Sequence, residues 1–213
     1  MAEILVKGKP WQYEETSYME CSTNVLDHEE AKYIMCTAKK ILDENGIVFM
    51  PIYGTLLGII RQNDFIPNDY DMDLSIFGKD RQRFIDLIPE FNKYGIEFTR
   101  CSEPWVYTFR YKSAYCDFYT IMDSCWPYKY RYARLVTKYI EKSFFKDFQK
   151  VDFIGTQFDV PKNPEKLLEY FYGKDWRIPK SGQARTQSRI LFWFNLWRFG
   201  KRCVSYVKRH YLS

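Results

Sequence analysis

In residues 67–74, PNDYDMDL, every second position is an aspartate: Asp69, Asp71 and Asp73. From Asp71 onward the residues between and beyond them, Met72, Leu74 and Ile76, are apolar. An acidic and apolar alternation with a period of two is the pattern of a strand whose two faces meet different surroundings. Like charges on one face repel, so the arrangement costs stability unless a cation or a partner offsets it. The segment therefore asks for a sheet with a packed core on one side and a ligand of opposite charge on the other.

A chain of 213 residues suits one domain, with room for a small appendage, and is long enough to bury a core. Its 46% hydrophobic and 28% charged residues describe a globular rather than a disordered chain. Aromatics reach 19%, high enough to line a cleft, although aromatic packing explains most of them. The cysteines Cys21, Cys36, Cys101, Cys116, Cys125 and Cys203 form no CxxC pair, and with only His28 and His210 a Cys/His zinc site is not expected. The first residues lack the apolar core of a signal peptide, and no long apolar run suggests a membrane span. The expectation is a reduced, cytoplasmic protein with free thiols. The net charge of +5 is unevenly placed: residues 189–213 hold six Lys/Arg and no acid, leaving 26 basic and 27 acidic residues elsewhere. Nucleic acid is not expected as a partner of the main body.

Along the chain, apolar spacing predicts a helix over 27–44 capped by Asp27 and closed near Gly46. A short strand at 47–52 then turns through Gly54 and Thr55 into a second helix, and 71–77 is the acidic strand. Further helix is expected at 79–93 and over most of 129–149. Strands are expected at 96–100, 105–111 and 115–121, followed by a small hairpin turning at Gly155 and a helix from Pro164 to Gly173. The order suggests an α+β domain with a mixed central sheet.

Asp71 and Asp73 on one face suit two carboxylates gripping one divalent cation. Magnesium takes few protein ligands and fills the rest from water and phosphate, so the pair fits a phosphate-bound metal. The surroundings agree. A strand ending in Gly54–Thr55 and opening a helix presents N–H groups to an anion, with Arg61 following on the same helix. The alternative is a solvated strand with surface acids.

At this point residues 54–76, GTLLGIIRQNDFIPNDYDMDLSI, resemble the signature of the LicD family, phosphocholine transferases related to fukutin within the polymerase-β-like nucleotidyltransferase superfamily. Residues 159–180, DVPKNPEKLLEYFYGKDWRIPK, are similar to that family's closing motif, so the resemblance spans about 30–180. The family pattern is usually Trp-Asp-Asp-Asp-x-Asp; here Asn68 stands for the Trp and Tyr70 for one Asp, while Asp71 and Asp73 remain. The resemblance implies a nucleotidyltransferase-like mixed sheet flanked by helices. It also implies a third carboxylate on a later strand, matching Asp117, with Asp123 as runner-up, to bind metal or take a proton. It implies magnesium, or manganese, at Asp71, Asp73 and Asp117, and phosphate or substrate contacts at Gly54, Thr55, Arg61 and Asp69. Asp175 and Arg177 are further candidates bordering the cleft, with pinning of the chain as their alternative role.

The implied reaction moves a phospho-alcohol such as phosphocholine from a CDP-alcohol donor to a hydroxyl of a cell-surface glycan, releasing CMP. A nucleotidyltransferase making a nucleotide-linked product, an Asp-x-Asp glycosyltransferase and a non-catalytic envelope accessory protein are the alternatives. Residues 1–185 are expected to form the catalytic domain and 186–213 an amphipathic helical tail. Cations interleaved with aromatics over 190–211 suit contact with an anionic lipid face, where a lipid-linked acceptor would be met at the inner side of the cytoplasmic membrane. Packing of the tail on the domain is the competing expectation.

Overall fold

The computed structural model describes residues 1–17 and 24–179. The tail expected over 186–213, with its lipid-contact segment 190–211, lies outside the described residues.

A hairpin of β1 (Ala2–Val6) and β2 (Lys9–Tyr13) precedes α1, His28–Glu44. The Asp27 carboxylate accepts from the Glu29 and Glu30 amides at 3.0 Å each, satisfying donors the first turn would otherwise leave open. Ala31, Ile34, Met35, Ala38, Ile41 and Leu42 form its buried stripe. Then come β3 (Phe49–Pro51), α2 (Tyr53–Gln62) and β4 (Met72–Phe77). A short 3-10 turn at Gly78–Asp80 leads to α3 (Arg81–Ile85) and α4 (Ile88–Lys93), so the helix expected over 79–93 is broken into pieces. Strands β5 (Glu97–Ser102), β6 (Val106–Tyr111) and β7 (Ala114–Asp123) follow.

The expected helix over 129–149 is instead β8 (Tyr132–Leu135), β9 (Lys138–Glu141), a 3-10 turn at Lys142–Phe145 and the start of β10 (Phe148–Phe153). The physical reason is a period of two: Ala133 and Leu135 are buried while Tyr132 and Arg134 are less so, and the exposed edge of β7 takes up the pairing. β10 pairs with β11 (Thr156–Pro161) across Gly155, whose φ of +82° serves the turn. α5 (Pro164–Tyr172) starts on a proline and ends at Gly173.

The main sheet runs β3-β4-β7-β6-β5, with β8 added to β7 and β9 to β8. β4 is parallel to β7, and the other pairs are antiparallel. This is the mixed sheet flanked by helices that the chain order suggests. One core gathers Ile34 and Leu42 of α1, Phe84, Phe91, and Met72, Leu74 and Ile76 of β4 with Phe118 of β7. A second gathers Met50, Ile52, Leu56 and Leu57 of β3 and α2 with Ile121, Leu135, Ile140 and Leu167, Leu168 and Phe171 of α5. β4 is thus an interior strand, and Ser75 on its acidic face is fully buried with its hydroxyl donating to the Met50 carbonyl at 3.2 Å.

Gly58 packs α2 onto the loop that delivers β4. A Cβ there would sit 2.4 Å from the Asp64 carbonyl oxygen and 3.2 Å from the Ile66 nitrogen. Alanine would favour the helix by about 1 kcal/mol, but backbone atoms of the loop must move to admit the methyl. Gly58→Ala is therefore expected to destabilise the fold by about 1–3 kcal/mol, measured by denaturant unfolding; equal or greater stability would contradict this packing.

Candidate functional site

The site begins with strand register. Pairing of β4 on β7 sets Asp73 directly opposite Asp117, and pairing of β6 on β7 sets Thr108 opposite Asp117 from the other side. Neighbouring strands lie about 4.8 Å apart, so two carboxylates from separate chain segments share one spot. Asp71 enters from the residue before β4, and Asp69 from the loop behind it.

Asp73 is held at its backbone and at its carboxylate. Its amide donates to the Thr55 hydroxyl oxygen at 2.8 Å, and its Oδ2 accepts from the Gly54 amide at 3.2 Å. The Ile52 amide also donates to the Asp73 carbonyl at 3.0 Å. The start of α2 therefore clasps the acidic strand. Glycine at position 54 leaves room for that closeness: a Cβ would fall 2.9 Å from Asp69 Oδ2, so the Asp69 carboxylate would have to shift, and 3.6 Å from Asp73 Oδ2. In this structure Gly54 and Thr55 turn their polar groups to Asp73 rather than to an open anion cradle.

Asp117 is buried, with 4% of its surface exposed. The Thr108 hydroxyl donates to its Oδ1 at 2.5 Å, and one Arg100 nitrogen lies 3.3 and 3.2 Å from its two oxygens. Arg100 Nε also donates to the Thr108 hydroxyl at 3.1 Å. Burial raises the Asp117 pKa, and these donors pull it partly back. Burial likewise pushes Asp71 up to about 7, with the charges of Asp117 and Asp69 adding to the rise. Asp73 rises well above the ordinary carboxylate range, first by burial and then through Asp71, Asp117 and Asp69. Asp69 rises by burial as well. The four acids form one mutually repelling group.

Aromatic residues wall this group. The phenols of Tyr53, Tyr119 and Tyr172 are raised by burial and by the negative charge of Asp73 beside them. Tyr53 packs edge-on against Tyr119 at 5.2 Å and tilts against Phe171 at 4.7 Å. Lys138, at the start of β9, lies over the Tyr53 ring at 4.6 Å. Sequence reading did not name Lys138, Arg100, Thr108 or these tyrosines as site residues. Tyr53 adjoins Gly54 and Tyr119 follows Asp117 on the same face of β7, so a local pattern does carry those two. Arg100, Thr108 and Lys138 come near only through the pairing of β5, β6, β8 and β9 around β7.

The other expected residues fall as follows. Arg61 is in the last turn of α2; its Nε is buried and, among the described residues, takes no hydrogen-bond partner, while its charge reaches Tyr172. Asp123 is exposed at the far end of β7 and pairs with Lys142, apart from the register of Asp73 and Asp117. Arg177 pairs with Glu165 at 2.6 Å and lies over Trp176, pinning the turn after α5. Asp175 is exposed in the same turn.

Hard carboxylate oxygens with uncompensated charge suit a hard divalent cation, and Asp71 and Asp73 are the residues that fit one. Among the described residues, no three His, Cys, Asp or Glu side chains converge as a closed metal cage. An open pair is what a metal sharing its shell with water and phosphate requires.

A mixed sheet that lays an Asp-x-Asp strand beside a third aspartate, clasped by a Gly-Thr helix start, defines a nucleotidyltransferase-like domain. Residues 46–163 match the LicD/FKTN/FKRP nucleotidyltransferase domain, over half of the chain, and the chain belongs to that family. Ribitol-5-phosphate transferase FKTN of Homo sapiens is 30% identical over 165 residues, covering 73% of this chain and 35% of that protein. Uncharacterized protein RP689 of Rickettsia prowazekii (strain Madrid E) is 28% identical over 108 residues, covering 49% of this chain and 36% of that protein. This chain thus spans about a third of the length of these relatives. Among solved structures, ANT(2")-Ia in complex with adenylyl-2"-tobramycin overlaps with a TM-score of 0.47 at 13% identity, covering 70% of this chain and 78% of that one.

The repulsion has a measurable consequence. A carboxyl whose folded pKa exceeds its unfolded value gives the folded state the tighter hold on the proton, so its contribution weakens as pH climbs between the two. For Asp71 that window runs from 3.8 to about 7. Asp71→Asn is expected to be at least as stable as the wild type in metal-free buffer at pH 8, with its advantage shrinking toward pH 4. Thermal melting across that range checks it; a variant less stable at pH 8 would contradict the repulsion.

Proposed function

We propose that this chain is a metal-dependent transferase that moves a phospho-alcohol from a CDP-alcohol donor to a hydroxyl of a cell-surface glycan, releasing CMP. Phosphocholine or a related alcohol phosphate is the group transferred. The observation that carries the reading is the Asp73–Asp117 register with Asp71 alongside. Two of these acids suit a diphosphate-bound cation, and the third stands ready for a proton. The FKTN relative, a ribitol-5-phosphate transferase, supports the same reaction class.

Magnesium, or manganese, held by Asp71 and Asp73 would draw off charge that builds on the diphosphate oxygens. The acceptor oxygen forms its bond to the phosphorus bearing the alcohol, the P–O bond to CMP breaks, and the electron pair leaves with CMP. Asp117 takes the acceptor's proton; Thr108 and Arg100 fix the carboxylate's orientation, and its raised pKa makes it a stronger base than an exposed aspartate. Tyr53, Tyr119 and Tyr172 keep bulk water from the acids and so strengthen every charge interaction there. A lipid-linked acceptor at the inner face of the cytoplasmic membrane fits the basic, aromatic composition of residues 186–213. No helix among the described residues is long and apolar enough to cross a membrane.

The test offers CDP-choline, CDP-ribitol, CDP-glycerol and CDP-ethanolamine with magnesium and a glycan acceptor, and follows CMP. Release with one donor is the expected outcome. Pyrophosphate from CTP and an alcohol phosphate would instead mark a nucleotidyltransferase, and no nucleotide product from any donor would overturn the proposal.

Asp117→Asn separates chemistry from binding. Turnover is expected to fall on the order of 10²–10³-fold, while donor affinity measured by calorimetry in magnesium changes little. Lost binding with unchanged saturated turnover would reverse the role given to Asp117.

A further inference from the structure

Several lysines meet an acid at the surface: Lys39 with Asp43, Lys93 with Glu90, Lys142 with Asp123 and Lys150 with Asp159. Lys138 differs. It is half-buried, it forms no ion pair among the described residues, and its ammonium lies over two rings, 4.6 Å from the Tyr53 centroid and 5.5 Å from that of Phe171. Tyr53 adjoins Gly54, whose amide holds Asp73, and Lys138 feels the Asp73 charge without pairing with it. Tyr53 belongs to the wall of the acidic site, and Phe171 packs behind it in the second core.

From this placement we infer that Lys138 is a substrate-binding residue, whose ammonium engages a non-bridging phosphate oxygen of the donor's diphosphate beside the Asp73 carboxylate. The inference rests on the transferase reading for the identity of the donor, but on the fold alone for the position of the cation.

Removing a lysine from bulk water without an acid partner is costly, and two aromatic faces offset only part of that. Such a placement is stabilised fully when an anion arrives. A phosphate oxygen is a suitable partner because a lysine ammonium acts as a compact point charge with three donors, adaptable to a tetrahedral group. The hairpin of β8 and β9 supplies the rigidity: Lys138 pairs across from Leu135, whose side chain is buried in the second core, so the stem enters from a fixed strand end. The diphosphate would then be held from two sides, by the Asp71 and Asp73 side, whose carboxylates would hold the divalent cation, and by the ammonium, which would meet an oxygen directly. Field strength alone would not do this, because Asp73 repels the same phosphate that Lys138 attracts.

The experiment measures binding of inorganic pyrophosphate, with magnesium present, to the full chain by calorimetry. The wild type is compared with Lys138→Met, which keeps an apolar stem over Tyr53, and with Lys138→Arg, which keeps the charge. Lys138→Met is expected to weaken pyrophosphate binding about tenfold or more, with most of the loss persisting at high salt, whereas Lys138→Arg retains most of the affinity. A through-space effect would fade at high salt and overturn direct contact. So would a Lys138→Met variant that binds pyrophosphate like the wild type, or a wild type that does not bind it at all. Thermal melting of each variant confirms that it is folded. CMP release from CDP-alcohols is scored separately: turnover with an unchanged KM in Lys138→Met would sink the inference and leave the transferase standing. Absent turnover with the pyrophosphate difference intact would do the reverse.

Discussion

The parallel pairing of β4 on β7 is the constraint from which the rest of the site follows. Parallel strands need a long connection, and here the chain between them forms two helices and two antiparallel strands before returning. That return places Asp117 opposite Asp73, though 44 positions separate them along the chain. A slip of one residue would turn Asp73 into the core and Met72 and Leu74 out of it. The apolar alternation of β4 therefore specifies the chemistry as firmly as the aspartates do, since burying Met72, Leu74 and Ile76 leaves the acids only one face.

That face stores repulsion, and the fold meets it with fixed dipoles rather than with full countercharges at every acid. Gly54 gives Asp73 a backbone donor, Thr108 gives Asp117 a hydroxyl, and Arg100 pairs with Asp117. Asp71 and Asp73 keep raised pKa values in spite of this. A fold that neutralised all four acids internally would have little affinity left for an outside cation. On the proposed metal-dependent reading, the incomplete compensation would make the site receptive, in the same way that catalytic sites elsewhere tolerate local cost for binding and chemistry.

The sequence was most informative where the determinants are local. The Asp27 cap and the stripe of α1, the acidic alternation of β4, the turn at Gly155 and the proline start of α5 each depend on residues within a few positions of one another. All four are present. Family resemblance added what local pattern could not, the partnership of Asp117 with Asp73. The failure lay in residues 129–149. There aromatic and basic residues fit a helical face as readily as an alternating strand, and the open edge of β7 decided between them. The break in the helix expected over 79–93 is local instead, since Pro89 at the start of α4 cannot supply an interior amide.

The misread hairpin also hid Lys138, whereas Arg100 and Thr108 sit on strands the sequence does predict and were hidden by their pairing alone. A motif search finds acids because two of them lie on one strand, at a spacing the strand itself enforces. Arg100, Thr108 and Lys138 come from β5, β6 and β9, three strands joined to the acids only through β7. Their spacing along the chain carries no period, and each alone is an ordinary surface residue type. Once β7 is seen to be the shared neighbour of β4, β6 and β8, the division of labour follows: acids arrive on the β4 side, while the hydroxyl, guanidinium and ammonium arrive by way of β6 and the β8–β9 hairpin. A site assembled this way places opposite charges on different elements, so a ligand with both a metal-binding and an anionic oxygen can be held between them.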